Sequence, residues 1–218
     1  MRDEPVLQLS EIFYSIQGES SFAGYPCLFF RLAGCNLRCS YCDAKYTYEE
    51  PGSPTPFSTL LSEAARYPNA LVEITGGEPL LQDGVYPLME ALLARGHTVL
   101  LETNGSLSIA RVPREVVKII DLKCPDSGMA EKMDLANLAL LSPHDEIKFV
   151  VSSRGDYDWA KAMIAEHRLA EKAKLILSPV IGRLAPALLA EWLMVDALPA
   201  RLQLQLHTLL WPGLKRGV

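Results

Sequence analysis

The chain has 218 residues, 49% of them apolar and 22% charged, with a formal net charge of −5. That length suits one sizeable core and is short for two, so residues 1–218 are expected to form a single domain. The composition is that of a well-buried globular enzyme or an oligomer, not of a disordered chain, and the acidic balance speaks against broad electrostatic capture of nucleic acid.

The chain opens on Met1-Arg2-Asp3-Glu4-Pro5, polar and acidic, without the apolar run of a signal peptide. Pro26–Leu32 reads as a strand leading into a cysteine-rich loop, Gly34 to Asp43, and Glu49–Pro56 as a surface loop after it. Leu71–Thr75 is a second strand, ending at Gly76-Gly77. Gly84–Arg95 has helical spacing and stops at Gly96. Strands follow at Thr98–Glu102 and Val116–Leu122, then a helix at Met129–Leu141, a strand at Glu146–Val151 and a helix at Tyr157–Leu169. Lys174–Leu177 is a strand, Pro186–Ala197 a helix and Leu202–Leu206 a last strand. The apolar segment from Leu184 to Leu198 is interrupted by Glu191 and Asp196, so no span crosses a membrane.

Strand and helix alternate, which predicts an α/β fold with a parallel sheet and crossover helices. About six strands fall short of the eight of a closed barrel, so the expectation is an open partial (β/α) barrel. Polar motifs recur at strand ends: the cysteine loop, Thr75-Gly76-Gly77-Glu78-Pro79, Glu102-Thr103-Asn104-Gly105, Asp121-Leu122-Lys123 and Ser178-Pro179. Ligands bind at that edge of parallel sheets, so all five should converge on one mouth.

The chemistry-bearing signal is Cys35-Asn36-Leu37-Arg38-Cys39-Ser40-Tyr41-Cys42. Five cysteines, three of them clustered, indicate metal binding in a reducing cytoplasm, not a disulfide framework. Three thiolates hold three irons of a 4Fe–4S cluster and leave the fourth iron open to a small molecule. The alternative is a zinc knuckle, a non-catalytic interaction module, with Cys124 or His207 as a remote fourth ligand. Cys27 reads as a small buried residue on a strand.

This C-x3-C-x2-C pattern, with Tyr41 before the last cysteine and Gly76-Gly77-Glu78-Pro79 after a strand, resembles the radical SAM superfamily. Phe13-Tyr14-Ser15-Ile16-Gln17-Gly18-Glu19, Phe29 to Asn36, Glu102-Thr103-Asn104-Gly105, Asp121 to Pro125 and Gln203-Leu204-Gln205-Leu206-His207 resemble, within it, the 7-carboxy-7-deazaguanine synthase family. The resemblance covers nearly the whole chain. It implies a 4Fe–4S cluster on Cys35, Cys39 and Cys42, S-adenosylmethionine on the open iron, and Mg2+. It further implies conversion of 6-carboxy-5,6,7,8-tetrahydropterin to 7-carboxy-7-deazaguanine with loss of ammonia, in queuosine and 7-deazapurine synthesis. A second radical reading is an activase that installs a glycyl radical on a partner protein. A reductase such as flavodoxin or ferredoxin is the implied electron donor, and a homodimer the expected assembly.

For the pterin, the resemblance implies Ile16, Gln17, Gly18, Glu19, Arg31, Thr75 and His207, with Glu19 and His207 as catalytic candidates. Arg31 suits bidentate capture of a carboxylate. Gln17 and Glu19 suit a planar edge of donors and acceptors. For the cofactor it implies Tyr41, Cys42, Asp43, Gly77, Glu78, Thr103, Asn104, Asp121, Lys123, Ser178 and Pro179. There is one departure: Ala44 stands where the family carries a hydroxyl for Mg2+, and Thr47 is the nearest substitute.

Overall fold

A computed structural model describes residues 4–218; the opening Met1-Arg2-Asp3 lies outside them. Nine strands form one sheet: β1 (Val6–Ile16), β2 (Pro26–Leu32), β3 (Ser53–Pro56), β4 (Leu71–Gly76), β5 (Val99–Thr103), β6 (Val117–Asp121), β7 (Glu146–Val151), β8 (Lys174–Pro179) and β9 (Arg201–Leu202). Their spatial order is β3-β1-β2-β4-β5-β6-β7-β8-β9. From β2 to β9 neighbouring strands pair in parallel, while β1 pairs antiparallel with both β2 and β3. Six full parallel strands and the two-residue β9 therefore make the expected open partial barrel.

Six helices accompany the sheet: α1 (Tyr46–Glu49), α2 (Phe57–Ala65), α3 (Val85–Leu93), α4 (Arg154–Glu166) and α5 (Pro186–Val195) lie in connections between strands, and α6 (Leu206–Leu210) follows β9; β5 to β6 is joined without a helix and β6 to β7 by 3-10 turns. Because strand side chains alternate between faces, Leu28, Phe30 and Leu32 of β2, Val72 and Ile74 of β4, and Ile147 and Phe149 of β7 share the main core, which also holds Leu88, Met89 and Leu92 of α3 and Tyr157 of α4. Burying such side chains stabilises by roughly 1.5–3 kcal/mol each. The opposite face lines the barrel. Its lower part is a small apolar plug of Leu100, Val117 and Ile119, packed with Phe22 and Leu71.

Several elements differ from the sequence reading. β1 and α2 appear where no element was expected. Ser53–Pro56 is an edge strand and not a loop; Pro54 and Pro56 are tolerated because an edge strand can leave its outer side without donors. Met129–Leu141 is not a helix but two 3-10 turns, Ala130–Lys132 and Leu135–Ala139. Asn137 explains the break: its amide donates to the Gly105 and Leu107 carbonyls and accepts from Ile109 N, pinning the stretch to the loop after β5. The last expected strand shrinks to Arg201–Leu202, and Leu206 begins α6, so His207 sits on a helix and not on a strand end. No described helix is long and apolar enough to cross a membrane.

A buried ion pair fastens β6 to the turn before β7. Asp145, fully buried, accepts from Lys118 Nζ at 3.0 Å and Lys118 N at 2.9 Å, and its second oxygen takes Ser142 N and Oγ at 2.8 and 2.7 Å. Asp145→Ala would leave the buried Lys118 ammonium with only the Val116 carbonyl, at 3.0 Å, and no counter-charge, and should cost about 3–5 kcal/mol. A denaturant midpoint that does not move would show that Lys118 finds another partner.

Candidate active site

The three cysteines lie on the loop leaving β2, each thiol free and half-buried. The loop is braced from several sides. Arg38 donates to the Cys35 and Leu37 carbonyls at 2.8 and 2.7 Å and stacks over the Tyr48 ring at 3.9 Å. Ser40 bonds the Ser127 and Asp126 carbonyls, and Tyr41 donates its hydroxyl to the Val150 carbonyl at 3.1 Å. Asn104 Nδ2 approaches Cys35 Sγ at 3.8 Å and bonds Asn36 Oδ1 at 3.1 Å. Burial holds the Cys39 and Cys42 thiols above their ordinary range, with Lys123 pulling the other way in both.

The end of β4 passes directly under this loop, and only glycine fits there. At Gly76, φ +150°, a Cβ would fall 2.7 Å from Leu32 N; at Gly77 it would fall 2.7 Å from Cys35 Cβ. The turn is then locked: Glu78 N donates to Gly34 O at 2.8 Å, and the Glu78 carboxylate accepts from Leu80 N, Thr103 Oγ1 and Asn104 N.

Inside the barrel, above the apolar plug, the inward positions are polar. Lys148 of β7 is the centre of this layer. Its ammonium bonds Glu19 Oε2 at 2.9 Å and Glu102 Oε1, and lies 3.8 Å from Asp121. Lys123 pairs with Asp121 at 2.6 Å, and Thr75 donates to Glu102 at 3.2 Å. Gln17 donates to the buried Glu73. Arg31 uses Nε on Glu11 at 2.9 Å, beside the Tyr46 hydroxyl. Burial, then the Glu102 and Glu19 charges, push the Glu73 carboxyl well above its usual range, so it holds its proton. Burial alone would raise Glu102 too, but Lys148 prevails and brings it down to about 2. Burial would discharge Lys148; the surrounding carboxylates of Glu102, Glu19 and Asp121 keep it charged.

The wall over this layer joins the two ends of the chain. The Gln17–Tyr25 loop is closed by its own backbone bonds. Below, Ser21 bonds Glu146; beside it, Arg201 and Gln203 donate to Ser20 O. Gln205 donates to Glu19 Oε1 at 3.0 Å, Leu206 N to Gly18 O at 3.0 Å, and the His207 ring packs on Gly18.

The expected residues therefore divide. Arg31, Thr75, Glu19, Asp121 and Lys123 gather in the mouth, with His207 and Gly18 against its wall and Ile16 at the end of β1. Gln17, Glu78 and Thr103 have their side chains committed to protein partners and act as braces. Thr47 is buried, 1% exposed, with its hydroxyl donating to the Ala44 carbonyl at 2.8 Å; the oxygen keeps its lone pairs, so it is burial that speaks against Mg2+ there. Cys124 is buried with its thiol toward Leu122 O, and burial raises the Cys27 and Cys124 thiols strongly. Glu73 and Lys148 were not singled out by sequence reasoning, and Glu102 entered only as the first residue of a strand-end motif. The available signal was a charged residue inside an apolar strand: Glu73 between Val72 and Ile74, Lys148 between Ile147 and Phe149.

The donors present fit a cluster and a polar small molecule. Among the described residues no three His, Cys, Asp or Glu close round a single ion. Three free, half-buried thiols on one loop are the donor set of a cluster that keeps one iron open. The Gly76-Gly77 turn gives close backbone approach beside Cys35. Two buried oxygens at strand ends, Asp121 Oδ1 and Ser178 Oγ, have no hydrogen-bond partner among the described residues, which suits a hydrogen-bonding ligand there.

The radical SAM superfamily matches residues 31–172. The 7-carboxy-7-deazaguanine synthase of Chlorobaculum tepidum is 51% identical over all of this chain and all of its own length. That of Koribacter versatilis is 44% identical over 97% of this chain and 100% of its own. Among solved structures, QueE from Escherichia coli superposes with a TM-score of 0.74 at 24% identity, covering 91% of this chain and 94% of that one. Streptococcus suis SuiB bound to S-adenosylmethionine gives 0.51 at 14% identity, over 78% of this chain and 44% of that one. These two likenesses concern the fold.

The raised Glu73 carboxyl sets a pH test. Its folded pKa lies above the unfolded value, so its contribution to stability is present below pH 4.5 and is lost as pH rises toward the folded value. Glu73→Gln keeps an acceptor for Gln17 and carries no charge. It should be close to neutral for stability at acid pH and increasingly stabilising toward neutral and alkaline pH. Denaturant melts at the two extremes read the difference; a gain that shrinks with pH would mean Glu73 is ionised in the folded protein.

Proposed function

The chain belongs to the 7-carboxy-7-deazaguanine synthase family of the radical SAM superfamily, and from that premise we infer how its residues serve the family's reaction. It is a radical SAM lyase that turns 6-carboxy-5,6,7,8-tetrahydropterin into 7-carboxy-7-deazaguanine with loss of ammonia, not an activase of a partner protein. The observation that carries this reading is one mouth that joins a free cysteine triad to a buried layer of paired charges shaped for a polar heterocycle.

Cys35, Cys39 and Cys42 would hold the cluster by three irons. When bound, the cluster and S-adenosylmethionine supply the one-electron chemistry that abstracts and returns a substrate hydrogen. The chain's part is placement. Gly77 offers backbone to the cofactor's amino group. Asp121, Lys123 and Ser178 receive its ribose, carboxylate and base from the other side of the mouth, and Tyr41 and Asp43 flank it. Pro179 backs Ser178, and Glu78, Thr103 and Asn104 hold the turn still.

For the pterin, the terminal nitrogens of Arg31, free of the Glu11 contact at Nε, take the carboxylate as a pair. Glu19 and Glu102 accept from ring and amino N–H groups. Thr75, the backbone of Ile16 and Gly18, and His207 complete the edge. Glu19 and His207 are the groups placed to move protons as ammonia leaves. Mg2+ would reach the site on the substrate carboxylate and water, since Ala44 has no side-chain oxygen and Thr47 is buried. A flavodoxin- or ferredoxin-type reductase supplies the electron in the cytoplasm, and the chain works as one unit within a homodimer.

The reading is tested by anaerobic reconstitution with iron and sulfide, followed by S-adenosylmethionine, reductant and the carboxypterin. Deazaguanine should form and S-adenosylmethionine should be regenerated; its one-way consumption without that product would overturn the assignment. Cys39→Ala leaves the cluster one thiolate short and should abolish turnover. Activity that survives would mean another ligand holds the third iron. A chelator should slow the reaction without bleaching the cluster, and an unchanged rate would remove Mg2+ from the scheme.

A further inference from the structure

Lys148 stands apart from the family motifs, yet it is the only cation that touches both Glu19 and Glu102 among the described residues. Its side chain is 5% exposed, and it approaches from β7, across the barrel from β2 and Arg31. The groups around it are Glu19 from the loop after β1, Glu73 from β4, Glu102 from β5, and Asp121 with Lys123 from the end of β6. Glu146 lies two positions back on β7, the uncharged Ile176 sits opposite on β8, Arg31 is beyond Glu102, and His207 is on Gly18. Four carboxyls in so small a space cannot all be ionised without compensation. Glu73, which Lys148 does not bond, keeps its proton; Glu102, which it does bond, loses it.

We propose that Lys148 is a positioning residue that fixes Glu19 and Glu102 as hydrogen-bond acceptors in the mouth, and so selects substrates presenting a row of N–H donors, as an aminopyrimidinone ring does. An ionised carboxylate only accepts, whereas a protonated one must donate through one oxygen. A ligand with N–H groups along its edge binds the first arrangement and is opposed by the second. Lys148 does this by bonding one oxygen of each carboxylate; the other oxygens take Gln205 Nε2 and Thr75 Oγ1, and each carboxylate keeps further lone pairs for a ligand.

The inference rests on the substrate reading above. It is tested on the reconstituted enzyme by following KM and kcat for the carboxytetrahydropterin from mildly acid to alkaline pH in wild type, Lys148→Met, Lys148→Arg and Glu102→Gln. The dissociation constant of the stable analogue 6-carboxypterin is measured on the same preparations. Lys148→Met should raise KM and that constant about 10- to 100-fold near neutrality, the worth of a charge-assisted bond, with a smaller change in kcat. The defect should shrink as pH rises, because Glu102, released from its cation, must first lose a proton before it accepts. Lys148→Arg should restore the wild-type pH profile. Glu102→Gln should bind weakly at every pH, with no alkaline recovery.

A Lys148→Met defect equal at all pH values, or absent, would overturn the proposal. If that variant fails to fold, Glu102→Gln binding as tightly as wild type, or a Lys148→Arg profile unlike wild type, would overturn it instead. A wild-type enzyme that makes no deazaguanine would fail the substrate reading, and the 6-carboxypterin constants would still decide the role of Lys148.

Discussion

Charge burial inside the barrel is the constraint on which the mouth depends. Each ammonium or carboxylate taken from water costs several kcal/mol, and the cost is offset only by close, well-aligned partners. Lys148, Lys123 and Arg31 face Glu19, Glu102, Asp121 and Glu11, and Glu73 stays neutral among them. Such a set tolerates little displacement, so the strands carrying it must keep register. The parallel pairing supplies that: Arg31 stands beside Thr75, and Asp121 beside Lys148.

The same layer separates two kinds of chemistry by height. Below it, Leu100, Val117 and Ile119 exclude water from the barrel floor. Above it, the cysteine loop and the Gly76-Gly77 turn lie against each other with no room for a side chain between them. A polar heterocycle seated between these levels meets charge on one face and the cofactor on the other. Its position is set by fixed protein groups, which need no reorganisation during the reaction.

The sequence was legible where residue types are rare and spacing is rigid. The cysteine loop, the glycine pair, Arg31 and the strand-end motifs could each be read, because few alternatives use those residues at those intervals. The strands β2, β4, β7 and β8 were readable from short apolar runs between turn residues. Glu73 and Lys148 were hidden by the same runs, since a single charge inside an apolar strand looks like an irregularity until register shows which face it shares. β3 was hidden by its prolines, and the split of 129–141 by Asn137, whose three hydrogen bonds reach 28 to 32 residues away. Thr47 looked available because sequence shows a hydroxyl but not its burial.

The contact between Gly18 and His207 has a bearing on timing. Ser20 O, Gly18 O and Glu19 gain their partners from Arg201, Gln203, Gln205 and Leu206, at the far end of the chain. During synthesis the segment with Glu19 and the cysteine loop emerges first, and the residues that hold it follow 181 to 186 residues later. The wall over the polar layer therefore closes only after they emerge, by contacts of very long sequence separation that fold slowly. A nascent chain thus carries the three thiols well before this wall is closed, and Arg201 to Leu206 act as its latch.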